Sequence, residues 1–230
     1  MINDHVSRVK APVRKPRAAG RVQPRRQPQQ SRSRERVTTI LDSARELIGT
    51  RGNDAVSVRE IAAAAGVPIS SVYQYFPDKN AIVRELIASH LATVRAQVVE
   101  AFGRVRRPAD LLRASEAALD GLVTLFSKEP TLASIWAAVQ ANTVLRKLDA
   151  QDSREISAYL GQVLARVLPG IPRPEIDGFC LFAAHIPSTV VRIALGLDPA
   201  SRRRLLDELK LLARLRMADL AGRSKRRKKR

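Results

Sequence analysis

The chain has 230 residues, 45% of them hydrophobic and only 4% aromatic, and carries a formal net charge of +19. Such an excess of Lys and Arg points to a polyanionic partner, nucleic acid ahead of a membrane, and a content dominated by Ala, Leu, Val and Arg favours helix over sheet. The single cysteine, Cys180, excludes an intrachain disulfide and a zinc cluster and fits a reducing cytoplasm.

Residues 1–33 are rich in Arg, Lys, Pro and Gln and poor in large apolar side chains. They are expected to form a disordered basic arm, since they bury too little surface to offset their ordering entropy. The arm adds general affinity for DNA, or its last arginines, Arg32, Arg34 and Arg36, enter a minor groove. No apolar run of signal-peptide type follows the basic start. A first helix is predicted over residues 34–50, with Val37, Ile40, Leu41, Ala44, Leu47 and Ile48 on one stripe and Gly52 ending it.

The stretch SVREIAAAAGVPISSVYQYFPDK, residues 57–79, then reads as helix, tight turn, helix. Ser57 is placed to cap a helix over 58–64, whose Val58, Ile61, Ala62 and Ala65 share a face. Gly66 supplies a turn with positive φ, and Pro68 suits the first turn of a helix over 69–76. Ile69, Val72, Tyr73 and Phe76 form one face of that helix, leaving Ser70, Ser71 and Gln74 outward, where they can hydrogen-bond base edges. This is a helix-turn-helix pattern with a second helix suited to the major groove. A fourth helix starts near Asp78 and carries its stripe from Ile82 to Val105. At about seven turns it is long enough to bridge two domains, and Pro108 stops it.

Five further helices are predicted over 109–127, 131–147, 153–168, 175–195 and 201–220, with PGIPRP as a connector and Pro187 expected to kink the fourth of them. Residues 179–197 come nearest to a membrane span, but His185, Pro187 and Arg192 interrupt them, so a buried helix is expected. Residues 222–230, including SKRRKKR, read as a solvated basic tail.

The segment from Arg36 to Leu91, with ILDSARELIGTRG followed by SVREIAAAAGVPISSVYQYFPDKNAI, strongly resembles the DNA-binding domain of the tetracycline-repressor (TetR) family of one-component regulators. The string IA-x-x-AGV-x-x-x-x-VY-x-YF-x-x-K carries the likeness, although Pro68 stands where Ser or Thr is common. The resemblance implies an all-α fold with a helix-turn-helix domain over 34–80, a helical effector-binding and dimerisation domain over 81–221, and no cofactor. It implies that Arg59 reaches a base and that Tyr73, Tyr75 and Lys79 hold phosphates. From the residues themselves, Gln74 can pair with adenine and Ile69 can pack on a thymine methyl. Alternatively Ser70 only caps the helix, Ile69 only caps the turn, and Tyr73 belongs to the core.

The resemblance also implies an unidentified small-molecule effector. Phe102, Phe126, Trp136, Tyr159 and Phe182, with Phe179, are the candidate pocket aromatics, and Gln140, Asn142 and His185 the candidate polar contacts. The nearly all-apolar helix ending at Leu195 and the Leu205 to Leu215 stripe are the candidate homodimer interface. The expected function is a sequence-specific transcriptional regulator of double-stranded DNA, most simply a repressor released from a palindromic operator by its ligand, in the cytoplasm and nucleoid-associated when bound. The competing reading is a low-specificity DNA-organising protein that uses its basic tails. No nucleophile with a nearby base, paired carboxylates, phosphate-binding glycine loop or metal spacing is present in the sequence, so catalysis is not expected.

Overall fold

Gln, Arg and Glu are good helix formers, and Pro is tolerated in a first turn, where its missing N–H is unsatisfied anyway. The first helix therefore begins earlier than its apolar stripe. In the computed structural model, which describes residues 27–129 and 131–228, α1 spans Gln27–Arg51, so the last residues of the expected arm are helical. Arg32, Arg34 and Arg36 lie exposed on this helix rather than on an extended arm, and the earlier part of the arm lies outside the described residues. Contacts divide the chain into Met1–Arg36 and Val37–Arg230.

The described residues form nine helices and no strand. Gly52, at φ +80°, ends α1 and donates its N–H to the Ile48 carbonyl at 2.9 Å. α2 (Val58–Ala64) opens on a reciprocal capping box. Ser57 Oγ accepts the Glu60 N–H at 3.3 Å, and the Ser57 N–H donates to Glu60 Oε2 at 2.8 Å. The Ser57 hydroxyl, which also donates to Glu60 Oε2 at 2.7 Å, together with the Ser57 N–H and the Arg51 guanidinium, holds the Glu60 carboxyl down at about 2. Gly66, at φ +65°, makes the turn into α3 (Ile69–Tyr75). Asp78 caps α4 (Lys79–Gly103) by accepting the Ala81 N–H at 2.7 Å.

α5 (Asp110–Lys128), α6 (Leu132–Ala141), α7 (Thr143–Val167), α8 (Arg173–Leu195) and α9 (Pro199–Lys228) complete the fold. Two expected boundaries move. The break predicted between residues 147 and 153 is absent, and the chain instead turns at Asn142. The Asn142 side chain accepts the Val144 and Leu145 N–H groups at 2.9 and 3.2 Å and starts α7. No Gly or Pro stands between 143 and 160, so nothing ends that helix. α8 runs on through Pro187 without a break.

The second correction concerns the basic tail. α9 continues past Leu220 and through Gly222, and its end is tied to the protein. The Arg223 guanidinium grips Glu175 with two bonds of 2.5 and 2.7 Å, and Arg216 adds a third at 2.9 Å. Ser224, only 3% exposed, donates to the Pro169 carbonyl at 2.9 Å. The Arg223 and Arg216 hydrogen bonds hold the Glu175 carboxyl down at about 2, against an ordinary 4.5. This clamp therefore contributes stability above pH 4.5 that is lost as pH falls through the folded value. Glu175→Gln is expected to melt below wild type at pH 7, with the difference vanishing as pH approaches 2, in a pH series of thermal melts.

The buried side chains form two clusters. One joins Ile40, Ile48, Ile61, Val72 and Phe76 to Ile82 and Ile87 of α4 and onward to Leu132, Ile135 and Trp136, so packing is continuous across residue 80. The other joins Phe102, Leu111, Leu160, Leu164, Ile176 and Met217. α4 contributes to both. The first cluster is pinched where α1 meets α6. An added Cβ on Gly49 would lie 2.2 Å from the Thr131 Cβ, and the Ser134 hydroxyl donates to the Gly49 carbonyl at 3.0 Å.

Candidate nucleic-acid interface and effector cavity

The helix-turn-helix turns one face of α3 inward and leaves another bare. Val72 and Phe76 are buried in the first cluster. Ile69 and Tyr73 are 38% and 51% exposed, and Ser70 and Gln74 are exposed beside them. Tyr73 is therefore not a core residue. Pro68, not Ser70, occupies the N-cap position, so the Ser70 hydroxyl is not used as the cap. Ser71 and Tyr75 are half-buried, and Arg59 is exposed on α2.

Lys79 has a further role that spacing did not show. Its ammonium donates to the Asn53 and Val56 carbonyls at 2.6 and 2.9 Å, tying the start of α4 to the loop before α2. An ammonium carries three donors, so two are engaged within the protein. Lys79→Met leaves both carbonyls without this partner. It is expected to cost about 2–4 kcal/mol of stability by denaturant titration, because hydrogen bonds to charged groups are the stronger kind.

A cavity of about 470 Å³ lies between the far half of α4 and helices α5, α7, α8 and α9. Phe102 and Phe182 line it, and so does Phe179. Phe126, Trp136, Gln140 and Tyr159 do not. Tyr159 instead donates its hydroxyl to the Val99 carbonyl at 3.2 Å, and Gln140 is exposed on α6. Asn142 is committed to its cap, and His185 lies off the cavity wall. Val98 and Val94 line the wall one and two helical turns before Phe102. The apolar stripe of α4 was the available signal for them. Gln97 and Arg216 also line it and were not anticipated. Cys180 is fully buried on the wall, and burial pushes its thiol up to about 12, so it is filler rather than a redox group.

Phe126 and Trp136 belong to a second aromatic group around His90. The buried His90 ring meets Phe126 and Trp136 edge-on, with centroids 5.0 and 5.8 Å apart. The Arg192 guanidinium of α8 lies over Trp136 at 4.5 Å. Burial, reinforced by the Arg192 charge, holds His90 down at about 4. No group of three or more His, Cys, Asp or Glu side chains placed to hold a metal occurs among the described residues.

A helix-turn-helix whose second helix leaves one face exposed, followed by a helical body with an apolar cavity, matches two family descriptions in order. Residues 40–86 match the bacterial regulatory proteins of the tetR family, and residues 109–220 match the tetracyclin repressor-like C-terminal domain. The chain belongs to the TetR family of transcriptional regulators. Both descriptions are of regulators, not enzymes.

Among curated TetR-type relatives, the chain is 36% identical over 89 residues to the HTH-type transcriptional repressor KstR2 of Rhodococcus jostii. That stretch covers 39% of this chain, and the match spans only 40% of the relative's length. A crystal structure of a TetR-family regulator from Streptomyces coelicolor superposes with a TM-score of 0.58 at 23% identity. It covers 82% of this chain and 99% of its own. FadR from Bacillus subtilis, solved in complex with stearoyl-CoA, gives a TM-score of 0.56 at 19% identity, covering 74% of this chain and 95% of its own. At these identities the structural likenesses show the TetR fold alone.

Proposed function

We propose that the protein is a homodimeric repressor that binds a near-palindromic operator through α3 and is released when a small molecule enters the cavity. The observation that carries the DNA-binding part is the bare face of α3, where Ile69, Ser70, Tyr73 and Gln74 stand exposed on a helix anchored by Val72 and Phe76. In this reading Gln74, Ser70, Ser71 and Ile69 face base edges, Arg59 reaches a base from α2, and Tyr73 and Tyr75 hold phosphates. Lys79 adds its remaining donor to the backbone contact. Residues 34–80 act as the reading head and 81–221 as the sensing and dimerising body.

Two supports carry the rest. α4 begins beside the recognition helix and reaches the cavity through Val94, Val98 and Phe102, so a ligand and the operator bear on one rigid element. B. subtilis FadR supplies a precedent for a ligand on this fold. α8 is the helix among the described residues that is long and apolar enough to cross a membrane by length and composition, with a mean hydropathy of 1.5. Its outward apolar side chains are Leu181, Phe182, Ile186 and Ile193, and the neighbouring α9 exposes Leu211, Leu212 and Leu215. In this proposal a second copy covers them, as a four-helix bundle across a two-fold axis.

Selection of bound fragments from random duplex DNA at two salt concentrations tests the reading. A palindromic motif with half-sites about one helical turn apart supports it. Binding without a motif that collapses as salt rises supports the DNA-organising alternative instead. On the selected site, Gln74→Ala is expected to relax preference at one base position, worth about 1–3 kcal/mol of discrimination, in competition binding. Tyr75→Phe should weaken all sites alike. The reverse pattern means that α3 docks with a different face.

A further inference from the structure

The cavity wall is chemically lopsided. Nearly all of it is apolar, from Val94 and Phe102 on α4 to Leu160 on α7 and Met217 on α9. The polar side chains on it are Gln97, Ser115, Ser188 and Arg216. Both serine hydroxyls donate to the protein, and the Arg216 charge is paired. Ser115 donates to the Leu112 carbonyl at 2.8 Å, and Ser188 to the His185 carbonyl at 3.2 Å. Arg216 is paired with Glu175 at 2.9 Å and Asp219 at 2.7 Å. The neighbouring cations of α9 are paired too, Lys210 with Asp120 and Arg214 with Glu116. Gln97 differs: among the described residues its amide makes no hydrogen bond, and its oxygen lies against the bare backbone of Gly121 on α5, where an added Cβ would come within 3.3 Å.

From this wall we infer that the cavity takes an uncharged, largely apolar molecule bearing one neutral hydrogen-bonding group, such as a hydroxyl, carbonyl or N–H, set against the Gln97 amide. The inference rests on the proposal that this cavity is the effector site. An anion would find the nearest guanidinium in a cluster where Glu175 and Asp219 already offset the charges of Arg216 and Arg223. A cation would find no carboxylate on the wall. Either charge would lose its hydration in an apolar enclosure without a partner, which is strongly unfavourable. An amide is suited to a neutral group because it offers both a carbonyl acceptor and two N–H donors. The volume, about 470 Å³, is that of a small-molecule site. Phe182 and Leu212 both line the cavity and are exposed on the protomer, so in the proposed dimer the second copy closes the cavity on the side between α8 and α9.

The test uses two fluorescent probes that share one aromatic skeleton, N-phenyl-1-naphthylamine, which is neutral, and 8-anilinonaphthalene-1-sulfonate, which is an anion. Each is titrated into full-length protein at pH 8. Ala183→Phe, which fills the cavity, separates cavity binding from adhesion to the exposed apolar face. The neutral probe is expected to bind the cavity at least about 10-fold more tightly than the sulfonate. Gln97→Leu should weaken the neutral probe by about 3- to 10-fold and leave the sulfonate unchanged. Gln97→Glu should give the cavity an affinity for hexadecyltrimethylammonium, read by displacement of the neutral probe, that wild type lacks. A sulfonate that binds the cavity as well as the neutral probe, and loses that binding in Arg216→Gln, overturns the uncharged class and leaves the effector site standing. Binding of neither probe in a way that Ala183→Phe abolishes overturns the effector site itself. If a Gln97 variant does not fold, the ranking of the two probes on wild type still decides the class.

Discussion

Ile193→Arg combined with Leu215→Arg is expected to leave the protein monomeric at micromolar concentration and to reduce operator affinity by roughly 100-fold or more. Ile193 is 55% exposed and Leu215 59% exposed, on adjoining helices whose other faces send Val191 and Leu209 into the core. Burying each such side chain against a second copy is worth about 1.5–3 kcal/mol, and an arginine in its place must either stay wet or be desolvated without a partner. The protomer should keep its fold, since neither side chain is part of a buried cluster. Operator affinity falls because a monomer engages one half-site and loses the second as an intramolecular event. Sedimentation velocity with operator titration reads both effects. A variant that remains dimeric with unchanged affinity places the interface elsewhere.

The second large effect concerns acid. His90 is buried with its ring held between Phe126 and Trp136, and it is pushed from an ordinary 6.5 down to about 4, chiefly by burial and further by Arg192. Below pH 6.5 the unfolded chain takes up a proton there and the folded protein does not. Stability should therefore fall as pH drops from about 6.5 to about 4, by at most about 3 kcal/mol from this residue, and level off below. Other groups act in the same range. Burial pushes Asp152 up to about 6 despite its ion pair with Arg95, and raises Asp149, which faces Arg192 and His185; both oppose the His90 trend. Arg45 and Glu129 line the small recess that His90 shares. The readout is therefore the difference between wild type and His90→Phe in denaturant midpoints across pH 4 to 8. The variant should lack the His90 part of the acid loss. Parallel pH profiles for the two proteins would mean that His90 is hydrated in the folded state.

Periodicity and punctuation made much of the architecture legible. The stripes at Ile40 to Ile48 and Ile82 to Phe102, the cap at Ser57, the turn at Gly66 and the cap at Asp78 are local signals, and each led to the helix observed. The outward face of α3 was legible only in part: Ser70 and Gln74 are exposed as expected, but Ile69 and Tyr73, grouped by period with Val72 and Phe76, are exposed too, and Ser71 is half-buried. Boundaries failed where two local signals competed. Asn142 was taken for a possible ligand contact when it starts a helix, and the tail after Gly222 was taken for solvated charge, which holds for the exposed Lys225 and Arg226 but not for Arg223 and Ser224, held by Glu175 and the Pro169 carbonyl.

The sequence by itself determined the helical class, the helix-turn-helix and the family, because these depend on side-chain period and on short motifs within one or two helices. Only the tertiary structure decided which aromatics share the cavity, which polar group of its wall remains unengaged, and which side of α8 and α9 faces outward. Phe102 and Phe179 meet at the cavity while Phe126 and Trp136 gather around His90, although all four sit on comparable apolar stripes. A stripe says that a side chain is covered. What covers it depends on how helices far apart in the chain cross, and that is a property of the packed molecule.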